Sequence, residues 1–154
     1  MLNYSTGEEN YIKAIYHLQS GPDSVSTNAL AEKLSTKPAS VTDMMKKLKT
    51  KKLLHYQPYQ GFRLSNEGKK VALDIIRRHR LWEYFLAEKL KFSWDEVHEV
   101  AEQLEHVSSK KLIDKLDEYL GSPKFDPHGD PIPDTNGKME TGKQVSLQEL
   151  PLNK

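Results

Sequence analysis

Residues 37–52 read Lys37-Pro38-Ala39-Ser40-Val41-Thr42-Asp43-Met44-Met45-Lys46-Lys47-Leu48-Lys49-Thr50-Lys51-Lys52. Pro38 suits a first helical turn, and Val41, Met44, Met45 and Leu48 recur at the i, i+3, i+4, i+7 spacing of a helix buried along one stripe. The spacing predicts a helix over 38–50 whose outer side carries Ala39, Ser40, Thr42, Asp43, Lys46 and Lys47. Upstream, Ser26 and Thr27 supply capping side chains for a short helix through Leu34, with Leu30, Ala31 and Leu34 turned inward; Ser35 to Pro38 separate the two helices. Before it, Tyr11, Ile12, Ile15, Tyr16 and Leu18 share one side of a helix over 10–19 that Gly21-Pro22-Asp23 stops. Downstream, Leu54 and Tyr56, then Tyr59-Gln60-Gly61, then Phe62 and Leu64 read as two short alternating strands joined by a Gly-containing turn. Two short helices joined by a tight turn and followed by a hairpin make the winged form of the helix-turn-helix, whose second short helix enters the major groove of DNA.

That topology gives the outer residues of the 38–50 helix a chemistry. Small and hydroxyl side chains near its start can approach base edges and the thymine methyl, whereas Lys46, Lys47 and Lys49 suit phosphates, with Lys37 and Arg63 adding backbone contacts. Asp43 meets repulsion at DNA unless it accepts from a cytosine amino group or a neighbouring lysine. A solvated helix face is the plain alternative for any run of lysines. The helices and hairpin around this run favour DNA.

Composition supports the same division. The net charge of +1 conceals a segregation: residues 1–65 hold nine Lys/Arg against five Asp/Glu, residues 66–120 hold ten against twelve, and Phe92 to His106 carries five acids with no Lys or Arg. One half suits phosphate, the other a cation. The 154 residues contain no Cys, so neither a disulfide framework nor a thiolate metal site is available, and the chain fits a reducing cytoplasm. No stretch approaches the length of an apolar membrane span.

Ser65 can cap a long helix from about Glu67 to Leu90, with Val71, Ala72, Ile75, Ile76, Leu81, Trp82, Phe85 and Leu86 as its apolar positions. Asp95 opens another helix with Val97, Val100, Ala101 and Leu104 inward, and Leu112, Ile113, Leu116 and Leu120 mark a last one before Gly121-Ser122-Pro123. Residues 123–154 hold five of the eight prolines and little periodic apolar pattern, which reads as a loop-rich tail or the start of a linker. The fold class expected is mainly α with a small β-wing. A winged helix-turn-helix domain over 1–66 precedes a helical metal-binding and dimerisation domain over 67–133, and 134–154 form a tail.

The segment His98-Glu99-Val100-Ala101-Glu102-Gln103-Leu104-Glu105-His106 sets His98, Glu102 and either Glu105 or His106 at successive helical turns, and His79 and Glu83 repeat the i, i+4 spacing on the long helix. Packed together, the two helices offer up to six ligands for one or two cations. A single His or Glu on a helix is more often just solvated; three imidazoles and three carboxylates at matched spacing are harder to dismiss. A zinc protease needs H-E-x-x-H, and His98-Glu99-Val100-Ala101-Glu102 lacks the second imidazole. Nothing marks a substrate cleft or an activated nucleophile, so an enzyme is not expected.

With these residues in place, the chain resembles the diphtheria-toxin-repressor family of metal-dependent repressors, particularly its manganese-responsive branch. The match spans about residues 8–133. It rests on Glu9-Asn10-Tyr11-Ile12-Lys13-Ala14-Ile15-Tyr16, Lys37-Pro38-Ala39-Ser40-Val41-Thr42, Arg78-His79-Arg80-Leu81-Trp82-Glu83, Leu104-Glu105-His106-Val107-Ser108 and Pro127-His128-Gly129-Asp130-Pro131-Ile132-Pro133. The resemblance implies a primary site of Glu102, Glu105 and His106 with Asn10 from the first helix. It implies a second site of His79, Glu83 and His98, joined by Asp126 or His128 from the loop. It also implies Mn2+ or Fe2+ as cofactor, a homodimer formed through Val97, Val100, Leu112, Leu116 and neighbours, and double-stranded operator DNA as partner. Metal would then narrow the spacing between two recognition helices and so favour a palindromic operator controlling metal uptake. A winged-helix regulator answering to a small organic ligand, or a carboxylate-rich metalloenzyme, are the other readings. Many family members continue into a small β-barrel, for which residues 134–154 read as a tail or the start of a linker.

Overall fold

The computed structural model describes residues 4–19, 24–58 and 60–139, which form six helices and one hairpin in two compact units, Met1–Ile75 and Ile76–Lys154. The expected turn at Tyr59, the Gly21-Pro22-Asp23 stop and the tail beyond Met139 lie outside the described residues.

In the first unit, α1 (Thr6–Leu18), α2 (Thr27–Lys33) and α3 (Pro38–Thr50) precede the antiparallel strands β1 (Leu54–Gln57) and β2 (Gly61–Leu64), paired Leu54 with Leu64 and Gln57 with Gly61. Ser26 caps α2 by accepting from the Ala29 amide, and Pro38 opens α3. Val41, Met45 and Leu48 of α3 are fully buried with Ile12, Ile15, Leu30 and Ile75, and Met44 is half-buried at the edge of this core. Val25 and Phe62 exchange two backbone hydrogen bonds, of 2.7 and 2.9 Å, that fasten the segment before α2 to the hairpin. Gly61 permits this approach: its φ is +115°, and a Cβ there would stand 2.4 Å from the Val25 carbonyl oxygen.

Helix α1 begins at Thr6, four residues before the expected start, because Ser5 and Glu8 form a capping box. The Ser5 hydroxyl accepts from the Glu8 amide at 3.1 Å, and the Glu8 carboxylate accepts from the Ser5 amide at 2.9 Å. Glu8 is buried, and Lys51 from the end of α3 meets it at 2.6 Å with Lys47 at 3.6 Å. Burial works to raise this carboxyl, but the Lys51 hydrogen bond, the Ser5 amide and the charges of Lys51 and Lys47 outweigh it and hold the group below its ordinary 4.5. A depressed carboxyl contributes stability that is present above the unfolded value and disappears as pH falls through the folded one. Wild-type protein is therefore expected to lose more stability between about pH 6 and pH 3 than Glu8→Gln, which at neutral pH is itself weaker by about 1–3 kcal/mol. Urea titrations of both proteins across pH check this, and parallel pH profiles would refute it.

Helix α4 (Asn66–Glu88) continues across the boundary between the units, and its first turn is capped by the Ser65 hydroxyl, which accepts from the Gly68 amide. In the second unit Leu81 packs with Ile113, Leu116, Leu120 and Ile132, while Leu86, Val97 and Ala101 form a second cluster joined by Trp82 and Phe85. These residues come from α4, α5 (Val97–Leu104), α6 (Lys110–Tyr119) and the loop that follows. Helix α5 opens at Val97, not Asp95: the Ser93 amide and hydroxyl both donate to Glu96 Oε1, making a turn of 93–96. Val97 is wholly inside its own unit, so it belongs to this core and not to a dimer surface, whereas Leu112 is exposed alongside Leu90, Trp94, Val107 and Tyr119.

Residues 123–139 depart from the expected loose tail. Asp126 Oδ1 accepts from the amides of His128 and Asp130, and Asp134 repeats the device with Asn136 and Lys138. Phe125 and Pro131 bridge, Arg80 donates to the Pro131 carbonyl at 2.6 Å, and Ile132 is buried. Periodicity is blind to such turns, because side-chain-to-backbone hydrogen bonds, not an apolar stripe, hold them.

Candidate metal centre and nucleic-acid interface

On α3, Lys37, Pro38, Ala39, Ser40, Thr42, Asp43, Lys46 and Lys47 are all exposed, and Arg63 on β2 is half-buried. Thr42 Oγ1 donates to the Pro38 carbonyl at 3.1 Å, which leaves its oxygen free to accept. The five lysines of 46–52 are not equivalent. Lys47 and Lys51 lean on Glu8, Lys49 stands over the Tyr56 ring at 5.8 Å, and Lys46 has no ion pair among the described residues. Pairing with an acid 39 or more residues earlier in the chain was not legible from α3 itself.

In the second unit His79 and Glu83 of α4 meet His98 of α5. His79 Nε2 lies 3.0 Å from Glu83 Oε2 and 3.2 Å from His98 Nδ1, and His98 Nδ1 is 3.2 Å from the same Glu83 oxygen. The i, i+4 spacing on α4 and the burial of one α4 face place the first two; the packing of α5 brings the third. His79 Nδ1 is 2.7 Å from Glu105 Oε1, and Glu105 is completely buried. With Glu105 ionised, and so able only to accept, Nδ1 carries the proton of this contact and Nε2 is the nitrogen turned to Glu83 and His98. That is the carboxylate-backed orientation of a metal-binding imidazole.

Asp126 and His128 of the 123–139 loop approach the other side of Glu83, with His128 Nδ1 3.5 Å from Oε1. Burial works to raise the Glu83 carboxyl, but hydrogen bonding and charge from His79, with further hydrogen bonds from Asp126 and His98, bring it down to about 2. Burial pushes Asp126 up to about 6; the Asp130 amide opposes this, and the hydrogen bond and charge of Glu83 add to it. Where the two carboxyls share a proton, below about pH 6, it sits on Asp126, which then donates to Glu83.

Among the described residues, two groups of three have ligand atoms all within 4.8 Å of one another: His79, Glu83 and His98, and Glu83, Asp126 and His128. Glu102, Glu105 and His106 are not such a group. Glu102 is exposed and 3.4 Å from His98 Nε2, and Glu105 joins His79 on one side and His106 Nε2, at 3.6 Å, on the other. A cation shared by Glu102, Glu105 and His106 would compete with His79 for Glu105. Asn10 is exposed on α1 in the first unit.

Residues 3–62 match the family described as iron dependent repressor, N-terminal DNA binding domain, and residues 65–134 match iron dependent repressor, metal binding and dimerisation domain. The HTH-type transcriptional regulator MntR of Oceanobacillus iheyensis is 35% identical over 118 residues, covering 77% of this chain and 80% of the relative. The chain belongs to the iron-dependent repressor family. Iron-dependent repressor IdeR of Mycobacterium leprae is 29% identical over 153 residues, 93% of this chain and 65% of the relative. A solved manganese-dependent transcriptional repressor in complex with manganese superimposes with a TM-score of 0.79 at 39% identity, over 87% of this chain and 62% of that one. The chain thus spans somewhat under two thirds of the length of IdeR and of the manganese-dependent structure. The family consists of transcriptional repressors and not enzymes. The winged-helix fold with a small two-stranded sheet and a helical second unit is that of its DNA-binding and dimerisation domains. Among the described residues no helix is long and apolar enough to cross a membrane.

Proposed function

We propose that this chain is a metal-activated repressor that binds palindromic operator DNA as a homodimer in the cytoplasm, with Mn2+ or Fe2+ as its activating cation. The observation that carries the reading is the convergence of His79 Nε2, Glu83 Oε2 and His98 Nδ1 within 3.2 Å, backed by the buried Glu105 carboxylate. This donor set fits a divalent cation: two imidazoles and carboxylate oxygen, with no thiolate in the chain, suit manganese and ferrous iron. The likeness to a repressor solved with manganese supports manganese. His79, Glu83 and His98 would hold one cation, and Glu102, Glu105 and His106, with Asn10, are the further ligands that family resemblance implies.

A bound divalent cation supplies positive charge beside buried carboxylates. The chain's own residues do the rest. Glu105 fixes the His79 ring, Glu83 sits one turn further along α4, and His98 is carried by α5, so holding the three together restrains α5 against α4. A more rigid second unit carries less conformational entropy into DNA binding, which is one route by which a ligand at one site raises affinity at another. On the DNA side, Ser40, Thr42 and Asp43 are placed for base edges, and Lys37, Lys46, Lys47 and Arg63 for phosphates. A repressor that metal activates suits genes for metal uptake, since excess cation would then shut off its own import.

The test is fluorescence anisotropy on a duplex selected by the protein from a random library in the presence of Mn2+. Affinity is expected to rise by about 5- to 150-fold on adding Mn2+ or Fe2+, the usual range of allosteric coupling. Lys46→Ala is expected to flatten the dependence of log affinity on log salt by about 0.9, one phosphate contact. Equal affinity with and without manganese and iron, or activation by zinc alone, would overturn the reading.

A further inference from the structure

The carboxylate of Glu8 holds two lysines of α3, the helix that carries the candidate DNA-binding face. Its Oε1 accepts from the Ser5 amide at 2.9 Å, and its Oε2 lies 2.6 Å from Lys51 Nζ and 3.6 Å from Lys47 Nζ. All four residues belong to the first unit. Glu8 is buried in the first turn of α1, a position that favours negative charge, and both lysines lie at the end of α3, which favours positive charge. The ion pair thus joins two helix termini of opposite sign.

The two lysines are held to different degrees. Lys51 is 39% exposed, makes the short contact and lies over the Tyr4 ring at 5.5 Å, so its ammonium has two partners inside the unit. Lys47, one turn earlier on α3, is 55% exposed, and at 3.6 Å it is drawn to Glu8 without a hydrogen bond. Burial gives Glu8 its hold. A buried carboxylate cannot exchange its lysines for water as an exposed one does, and stripping it of them leaves a charge uncompensated. A DNA phosphate approaching these lysines therefore meets a competitor already in place. Lys46 differs, with no ion pair among the described residues, and Lys49 stands over the Tyr56 ring.

We propose that Glu8 is a positioning residue for DNA binding that limits how many phosphates α3 can engage: it keeps Lys51 from the DNA backbone and releases Lys47 to it only part of the time. This rests on the reading that the outer face of α3 meets DNA, and it refines that reading, because Lys46 and Lys47 then make unequal phosphate contacts although they are neighbours in sequence. Phosphate contacts supply essentially all sequence-independent affinity. Withholding them lowers the part of the binding that any duplex can satisfy, and Ser40, Thr42 and Asp43 at base edges carry a larger share of the rest.

The experiment measures, by fluorescence anisotropy, the affinity of the full chain for a random-sequence duplex across sodium chloride concentrations, in chelator so that metal plays no part. Glu8→Gln keeps an oxygen for the Ser5 amide and removes the charge. It is expected to steepen the dependence of log affinity on log salt by about 0.9 to 1.8, one to two phosphates, and to raise affinity at low salt by about three- to tenfold. In the wild-type background Lys47→Ala should flatten the slope by less than half as much as Lys46→Ala. In the Glu8→Gln background the two should flatten it equally, by about 0.9 each. A merely structural role of Glu8 would not make the effect of Lys47 depend on it. Circular dichroism checks that each variant folds, and should Glu8→Gln fail to fold, the two exposed lysine variants decide the matter alone. If Lys46→Ala flattens the slope but Lys47→Ala flattens it equally in the wild-type background, or folded Glu8→Gln leaves it unchanged or shallower, the proposal is overturned and the DNA surface stands. If neither lysine variant changes the slope, the DNA surface lies elsewhere and the proposal falls with it.

Discussion

Alanine in place of His98 is expected to weaken Mn2+ binding by about 100-fold or more, beyond the roughly 10- to 100-fold that follows loss of an outer-shell partner. Manganese-dependent operator binding should vanish with it. The side chain is 61% exposed, so its removal opens no cavity, and the thermal midpoint in chelator should stay close to wild type. Functional loss without structural loss is the signature of a ligand. Glu99, exposed on the same helix and one residue away, is the control. Its alanine variant should bind manganese within about twofold of wild type, the effect of an ordinary surface change. Calorimetric titration of both variants decides the matter. Equal impairment by His98→Ala and Glu99→Ala would mean that the acidic segment attracts cations only as a diffuse field.

The second large effect falls on stability. Gly68 lies in the first turn of α4, where helix propensity alone would reward alanine by about 1 kcal/mol. The opposite is expected. A Cβ at position 68 would stand 2.3 Å from the Leu53 carbonyl oxygen and 3.1 Å from Leu64 Cδ2, and that carbonyl already accepts from the Ser65 amide at 2.9 Å. Backbone must move, and both leucines belong to the core of the first unit. Gly68→Ala should therefore cost about 3 kcal/mol, at the upper end of ordinary overpacking. Urea denaturation measures it, with the exposed Asn66→Ala as a neutral comparison. A midpoint at or above wild type would show that α4 does not approach the segment before β1 this closely.

Several features of the fold were readable residue by residue. The Val41, Met45 and Leu48 stripe, the alternating strands on either side of Gly61 and the Ser26 cap are local patterns, and helical and extended periods of 3.6 and 2 expose them directly. The capping box at Ser5 and Glu8 was equally local and could have moved the start of α1 from residue 10 to Thr6. The start of α5 was harder. Asp95 and Ser93 are both good capping types, and only the hydrogen bonds from Ser93 to Glu96 show that a turn precedes the helix. For the candidate site, spacing paired His79 with Glu83, and the family resemblance grouped both with His98 and with Asp126 or His128; which atoms face one another, and the backing of His79 by Glu105, come from packing.

The sequence by itself determined which residues share a helix face, where the basic and acidic halves lie, and that any metal must be held by nitrogen and oxygen, because these follow from local geometry and residue chemistry. Only the tertiary structure decided that Glu105 backs His79 across 26 residues, that Glu8 captures Lys51 across 43, and that Asp126 and His128 reach the far oxygen of Glu83. Such pairings depend on how helices and loops pack, and a buried carboxylate takes as partner whichever donor the packing delivers, since leaving it without one costs more than any local preference can supply.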